Sequence, residues 1–316
     1  MNRKSSLILK LFAAFFALAL VAVSLVACTP AGTPDESSNE PQNSPEESSP
    51  IETPAETPIE TTAPETEPET EPETEPETEP ETEPQKDPIT LNIGSYNIAN
   101  GKNFVHIKKI GADIKDKNLD IVGVQEVDQK ASRTGMMDSM KILSETSGLP
   151  YYAFFKAINL GGGEYGVGVL SRFPIVKQNR TELYSGDEEQ RVLGHTVIDV
   201  DGTEINFFVT HLSFEAKTLR NSQFQTIAAK TADLDNFIVV GDFNTSDFLE
   251  YSPIKNADMV CNSIYAIKTF PSPTPTSSID NIVFSKANWK FKRPAVLANG
   301  NSDHCMLYAT GTFDPN

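Results

Sequence analysis

Between residues 88 and 316 the apolar positions gather into short runs with polar ends. Residues 89–93, 119–124, 166–170, 205–209 and 237–240 are rich in β-branched or aromatic side chains, and polar or turn residues follow each run. Such runs read as strands, and apolarity this continuous requires cover on both faces of a sheet. Phe104, Ile107, Ile110 and Ile114 recur at helical spacing and put one apolar face on a helix between the first two strands. Two more helices are expected, from about residue 136 to 147 and from about 215 to 234. Strands alternate with helices early in this region and follow one another in its middle. That order predicts mixed sheets packed together: a four-layer α-β-β-α sandwich, α/β (α+β) in class, with its chemistry at one edge. Residues 88–316 suit one large domain.

The first 87 residues break this pattern. Arg3 and Lys4 precede an apolar run that reaches about Val23, interrupted at Lys10, and Leu25-Val26-Ala27-Cys28 follows. This reads as a cleaved export signal over residues 1–27. Leu-Val-Ala-Cys resembles a bacterial lipobox, which implies lipidation of Cys28 and a protein held on the extracytoplasmic face of a bacterial cell membrane without spanning it. From residue 29 to 87 almost nothing is apolar, and Glu-Thr-Glu-Pro repeats with period four from Glu65 to Pro84. A segment of this kind cannot bury enough surface to offset its ordering entropy, so residues 28–87 are expected to form a disordered linker. At about 3.1 Å per residue its reach is on the order of 180 Å. It serves either as a spacer through a cell wall or as a solubilising tail.

Composition changes the picture in one respect. The formal net charge is −18, yet residues 29–87 alone hold 19 acidic residues against one Lys, so the remainder of the chain is balanced. Nucleic-acid binding normally leaves a footprint of Lys and Arg. The densest basic stretch runs from Lys286 to Arg293, where Lys290 and Lys292 would share one strand face and Trp289 and Phe291 the other. That pattern is first of all a solvated face over a packed one. Cys261 and Cys305 are the thiols of the expected domain; they either pair or stay buried and free, and neither has zinc-site spacing.

Six polar motifs sit where apolar runs end: SYNIANG (95–101), QEVD (125–128), THL (210–212), GDFN (241–244), SID (278–280) and SDH (302–304). Glu126 would be costly at a buried strand end unless paired or bound to a cation. Oxygen donors without a Cys/His cluster favour a hard ion, Mg²⁺ with Mn²⁺ or Ca²⁺ as alternatives, over Zn²⁺. In extended geometry Asp242 and Asn244 would point to one face and Phe243 to the core. Asp280 is expected to orient His304, with His304 polarising or deprotonating an attacking water and Asp303 close to the ion or that water. His211 would donate to phosphoryl oxygens as charge builds. His106 and His195 read as structural.

The motifs, their order and their intervals resemble the endonuclease/exonuclease/phosphatase superfamily, the deoxyribonuclease-I-like fold. The likeness spans nearly all of residues 89–313 and includes 166–172 and 190–192. It implies a divalent metal ion, with Glu126, Asn97, Asp242 and Asp303 around it, and in-line attack of water on a phosphoester. It implies catalytic roles for His211, Asp242, Asn244, Asp280 and His304, and substrate contacts from Asn97, Asn244, His211 and Arg191, the last either contacting phosphate or supporting the site. Asn281 departs from the pattern, since many relatives carry an aromatic residue there, and is expected to alter packing beside the site. The substrate stays open among nucleic acid, a phospholipid or sphingomyelin headgroup and a small phosphate ester, for a protein expected to be monomeric. A non-catalytic surface binding protein with this fold is the other reading.

Overall fold

The computed structural model describes residues 87–315. The expected signal, Cys28 and the acidic repeat lie outside the described residues. Strands β1 (Ile89–Asn97), β2 (Ile121–Gln129), β3 (Tyr151–Leu160), β4 (Gly163–Ser171), β11 (Trp289–Leu297) and β12 (Met306–Phe313) make one sheet, in the order β11-β12-β1-β2-β4-β3. The second sheet has the order β5-β6-β7-β8-β10-β9, from β5 (Ile175–Leu183), β6 (Arg191–Val200), β7 (Thr203–His211), β8 (Phe237–Asp242), β9 (Ala257–Met259) and β10 (Asp280–Ser285). Both sheets are mixed: β1 and β2 run parallel, as do β7 and β8, among antiparallel neighbours.

Alternation within single strands builds three apolar layers. Leu91 and Ile93 of β1, Val167 and Val169 of β4, Val209 of β7, and Ile238 and Val240 of β8 meet between the sheets. Tyr96, Val122, Val124 and Leu170 face outward and are covered by α1 (Ile107–Asp116) and α2 (Ser139–Ser147). On the other sheet Phe208, Phe237, Val239 and Val283 meet Phe224 and Ile227 of α3 (Lys217–Thr231). The result is the expected four-layer α-β-β-α sandwich. Near-continuous strand apolarity thus reflects two different cores, one on each face. The sheets approach closely beside Gly123 of β2, where an added Cβ would overlap Val240 of β8 and Val209 of β7.

Element ends differ from the sequence expectation for local reasons. Helix α1 begins at Ile107, since Ala99, Asn100, Gly101, Lys102 and Phe104 all have positive φ and form a left-handed turn before it. The second helix begins at Ser139 because Asp138 caps it, its Oδ1 accepting from the Lys141 amide at 3.1 Å. The third spans 217–231, shorter at both ends than expected. Strand β5 escaped prediction because most of its residues are exposed. On β11, Trp289 is buried and donates to Asn236 Oδ1 at 3.0 Å, while Lys290 and Lys292 lie in solvent, a solvated face over a packed one. Cys261 and Cys305 are buried free thiols. Among the described residues no helix is long and apolar enough to cross a membrane.

Candidate active site

The carboxyl ends of the parallel pairs β1–β2 and β7–β8 lie at one edge of the sandwich, and six motif residues meet there. Asn97, the last residue of β1, donates from Nδ2 to Glu126 Oε1 at 3.0 Å and to Asp242 Oδ2 at 3.1 Å, and the same nitrogen lies 3.5 Å from His304 Nε2. One amide therefore joins groups carried by both sheets. Its Oδ1 accepts from the Ala99 amide at 3.1 Å, which fixes the orientation of the side chain.

Glu126 reaches this edge through a backbone irregularity. The pairing of β2 with β4 shifts register between Val124 and Val127, and Glu126 has φ 58°. A bulge with a left-handed non-glycine residue re-aims a side chain at a local energetic cost. Burial raises the Glu126 pKa, opposed by the hydrogen bond from Asn97. Asp242, the last residue of β8, is almost fully buried, and burial together with neighbouring Asp280 raises its pKa.

Asn244 departs from the extended geometry expected of GDFN. The strand stops at Asp242 and Asn244 has φ 52°, so its amide donates to Asp242 Oδ1 at 2.9 Å while its Nδ2 donates to Leu212 O at 2.9 Å. The side chain ties the ends of β7 and β8 together. Phe243 does point into the core, against α3.

Two buried histidines flank Asp242. His304 Nε2 and His211 Nε2 each lie 3.5 Å from Asp242 Oδ2. On its far side His304 Nδ1 meets Asp280 Oδ2 at 2.9 Å. Burial works against charge on His304, but Asp280, joined by Asp242 and Asp303, outweighs it and raises the pKa to about 10. For His211 burial dominates, Arg191 and His304 add repulsion, and the pKa falls well below the usual value. Asp303 is exposed at the mouth, its Oδ1 accepting from Ser302 Oγ at 3.3 Å. Arg191 is buried, with Nη1 2.9 Å from Glu189 and Nη2 3.9 Å from Glu215, and shares a small cavity with Tyr165 and His211.

Ligating atoms of Asp242, Asp280 and His304 lie within 4.8 Å of one another and can hold a metal ion. This group shares Asp242 with the set expected from the sequence, and Asn97 links it to Glu126. Asp280 Oδ1 is buried without a hydrogen-bond partner among the described residues. Buried carboxylates with an orphaned oxygen are a donor set that fits a hard divalent cation.

Other histidines lie elsewhere: His106 Nδ1 meets Asn301 O at 3.0 Å, and His195 stacks on Phe208 with Nε2 2.9 Å from Asn206 Oδ1. Asn281 is buried and clamps Cys261 through both backbone groups, at 3.0 and 2.9 Å. A group without a motif also bears on the site. Glu250 is buried, accepts from Arg220 at 2.9 and 3.2 Å and from Thr245 Oγ1 at 2.9 Å, and Arg220 donates to Ser213 O at 3.2 Å. The segments that follow His211 and Asn244 are thereby fastened to α3.

A model of the endonuclease/exonuclease/phosphatase family matches residues 89–304, so the match runs from β1 to His304. The chain belongs to the endonuclease/exonuclease/phosphatase family. The family's name covers nucleases and phosphatases, both phosphoester hydrolases. A solved family protein from Bacteroides thetaiotaomicron is 21% identical, with 72% of this chain and 97% of that one covered at a TM-score of 0.59. The mannosyl-6-phosphatase of the same organism is 19% identical over 71% of this chain and 100% of its own, at 0.58. Danio rerio TDP2, solved with a single-strand DNA product, is 17% identical over 70% and 98%, at 0.56. At these identities the likeness is one of fold. No curated protein matches the chain.

Proposed function

We propose that this family member is a surface-anchored, divalent-metal-dependent phosphoester hydrolase in which water attacks phosphorus at the edge occupied by Asn97, Glu126, Asp242, Asp280 and His304. The observation that carries the reading is the single network from Glu126 through Asn97 to Asp242 and His304, assembled from both sheets. Scattered polar residues on a scaffold would not concentrate carboxylates and an imidazole around one amide, with a second imidazole on the same Asp242.

Glu126 and Asp242 would hold the cation, Mg²⁺ by donor type, with Asn97 between them and Asp303 at the mouth. When bound, such an ion polarises a phosphoryl oxygen and supplies positive charge that the carboxylate cluster otherwise takes up as protons. Asp280 fixes the His304 tautomer with the proton on Nδ1 and leaves Nε2 to take a proton from water. His211, kept neutral, donates to a phosphoryl oxygen without adding a full charge beside Arg191. Arg191 supports the site from within, paired to Glu189. Asn244 and the Asp242 carboxylate align the reacting groups.

The nearly neutral charge of residues 88–316 favours a phosphodiester of modest size or a small phosphate ester over long nucleic acid. Anchoring through lipidated Cys28 would place the reaction on the extracytoplasmic face of a bacterial cell membrane. The test uses the purified chain with Mg²⁺ or with EDTA against a bis-aryl phosphodiester, an aryl phosphomonoester, plasmid DNA and sphingomyelin vesicles. Turnover that requires Mg²⁺ and is lost in His304→Ala is expected. Turnover in EDTA would overturn the metal dependence, and no turnover from a chain that also fails to bind Mg²⁺ would overturn the reading in favour of a binding protein.

A further inference from the structure

The centre of the site is acidic, with Glu126, Asp242, Asp280 and Asp303 close together, so an anionic substrate needs fixed positive charge at the approach as well as at the reacting centre. Two cations near the site are already committed: Arg191 is buried against Glu189 at 2.9 Å, and Lys102 Nζ donates to Gly300 O at 2.6 Å. Arg133 differs from both. It stands on a short turn, Ser132–Thr134, just beyond the strand that carries Glu126.

Asp128, two residues past Glu126 and with a fully buried side chain, takes the Arg133 fork bidentately, Nε to Oδ2 and Nη2 to Oδ1, each at 2.7 Å. The guanidinium also lies over the Tyr165 ring, 5.5 Å from its centroid. Tyr165 in turn lines one cavity with Arg191 and His211, which connects Arg133 to the histidine side of the site. The turn itself is fastened by Ser132 N to Gly161 O at 3.0 Å and Lys130 N to Met137 O at 2.8 Å. Asp128, Tyr165 and these backbone bonds fix the orientation of the guanidinium, yet the Arg133 side chain stays 43% exposed and Nη1 donates to no described residue. Glu126 acts on its charge through space, after the larger effect of the Asp128 hydrogen bonds, which raises the Arg133 pKa further. A partner whose sole role was to neutralise Asp128 would be buried with it; this one stays partly open to solvent. Fixed guanidinium donors of that kind suit the oxygens of a phosphate.

We propose that Arg133 is a substrate-binding residue at the rim, which takes a second phosphate of the substrate, separate from the ester being cleaved. The inference rests on the hydrolase reading for its purpose but not for its measurement. Full-length chain with excess Mg²⁺ is assayed on a bis-aryl phosphodiester, and inhibition constants are taken for fructose 6-phosphate and fructose 1,6-bisphosphate, which differ by one phosphate. The parent is expected to prefer the bisphosphate by at least about tenfold, the scale of a charge-assisted, bidentate contact. Arg133→Gln should bring the ratio near one and Arg133→Lys should leave part of it. A purely structural role would weaken both inhibitors alike and preserve the ratio. A preference unchanged in both variants, or absent from the parent, overturns the proposal. Should Arg133→Gln fail to unfold cooperatively on heating, the ratio in Arg133→Lys decides, and no loss there overturns the proposal equally. If the parent turns nothing over, the hydrolase reading fails on its own terms, and calorimetric titration of the same two sugar phosphates in Mg²⁺ measures the preference directly.

Discussion

The two sides of Asp242 carry the same residue type at the same distance and treat it in opposite ways. His211 and His304 are both buried, and each places Nε2 3.5 Å from Asp242 Oδ2. His304 has a carboxylate on its far nitrogen and is driven toward the charged form; His211 is held neutral by its burial, with Arg191 adding repulsion. Distance to a shared carboxylate therefore does not set the role of an imidazole. The charge nearby does: carboxylates favour a positive ring at His304, and burial with Arg191 disfavours one at His211.

The comparison can be broken at several strengths. Chelation by EDTA should have the largest effect, a loss of turnover on the order of a thousandfold or more, because the carboxylate cluster then repels the anionic substrate. Steady-state rates on the bis-aryl phosphodiester before and after Mg²⁺ is restored check this. Removing the acceptor alone, in His304→Ala, should cost at least about a hundredfold in kcat. Retained turnover there would sink the assignment of His304 as base. On the other side, His211→Gln keeps a neutral donor and should lose only about tenfold; a loss as large as that of His304→Ala would mean that the two sides are not distinct. The smallest effect is on stability, and here the histidines have opposite signs.

A His whose folded pKa is raised stabilises fully below its unfolded value of about 6.5, and that contribution fades as pH rises toward the folded value. His304 is of this kind, its folded pKa standing at about 10 in the metal-free chain. His211 is the reverse, its contribution present above about 6.5 and lost as pH falls, because the unfolded chain then takes a proton that the folded one refuses. Thermal unfolding in EDTA should accordingly show His304→Ala losing more stability at pH 6 than at pH 9. In His211→Phe the fall in Tm on acidification should be shallower than in the parent.

Much of this edge was legible before the fold was known, for a specific reason. A strand apolar on both faces leaves its polar chemistry at its ends, so Asn97, Glu126, His211 and Asp242 each announced themselves as polar residues closing an apolar run. The backbone that aims them was not legible. The bulge at Glu126 and the left-handed Asn244 both belong to non-glycine residues; Asn adopts positive φ more often than most, but nothing local marks either position. Alternation put Asn244 beside Asp242 on one face, but its side chain instead binds Leu212 O across the strand pair. Arg220 and Glu250 lie 30 residues apart without a motif, and their ion pair depends on tertiary packing. Strands β5 and β9 were unread because an exposed or very short edge strand has little apolar alternation to show, and β3, β10 and β12 also lie outside the five runs read.

Gly123 touches neither substrate nor proton, yet the spacing of the whole site passes through it. The missing side chain lets the two sheets meet beside Val209 and Val240; three residues further along β2 stands Glu126, and two beyond Val240 stands Asp242, both bound by Asn97. In a saturation screen for activity, every replacement at this position would act as a wedge that separates two halves of one reaction centre. A methyl group in the wrong layer would leave each half intact and stop the proposed turnover.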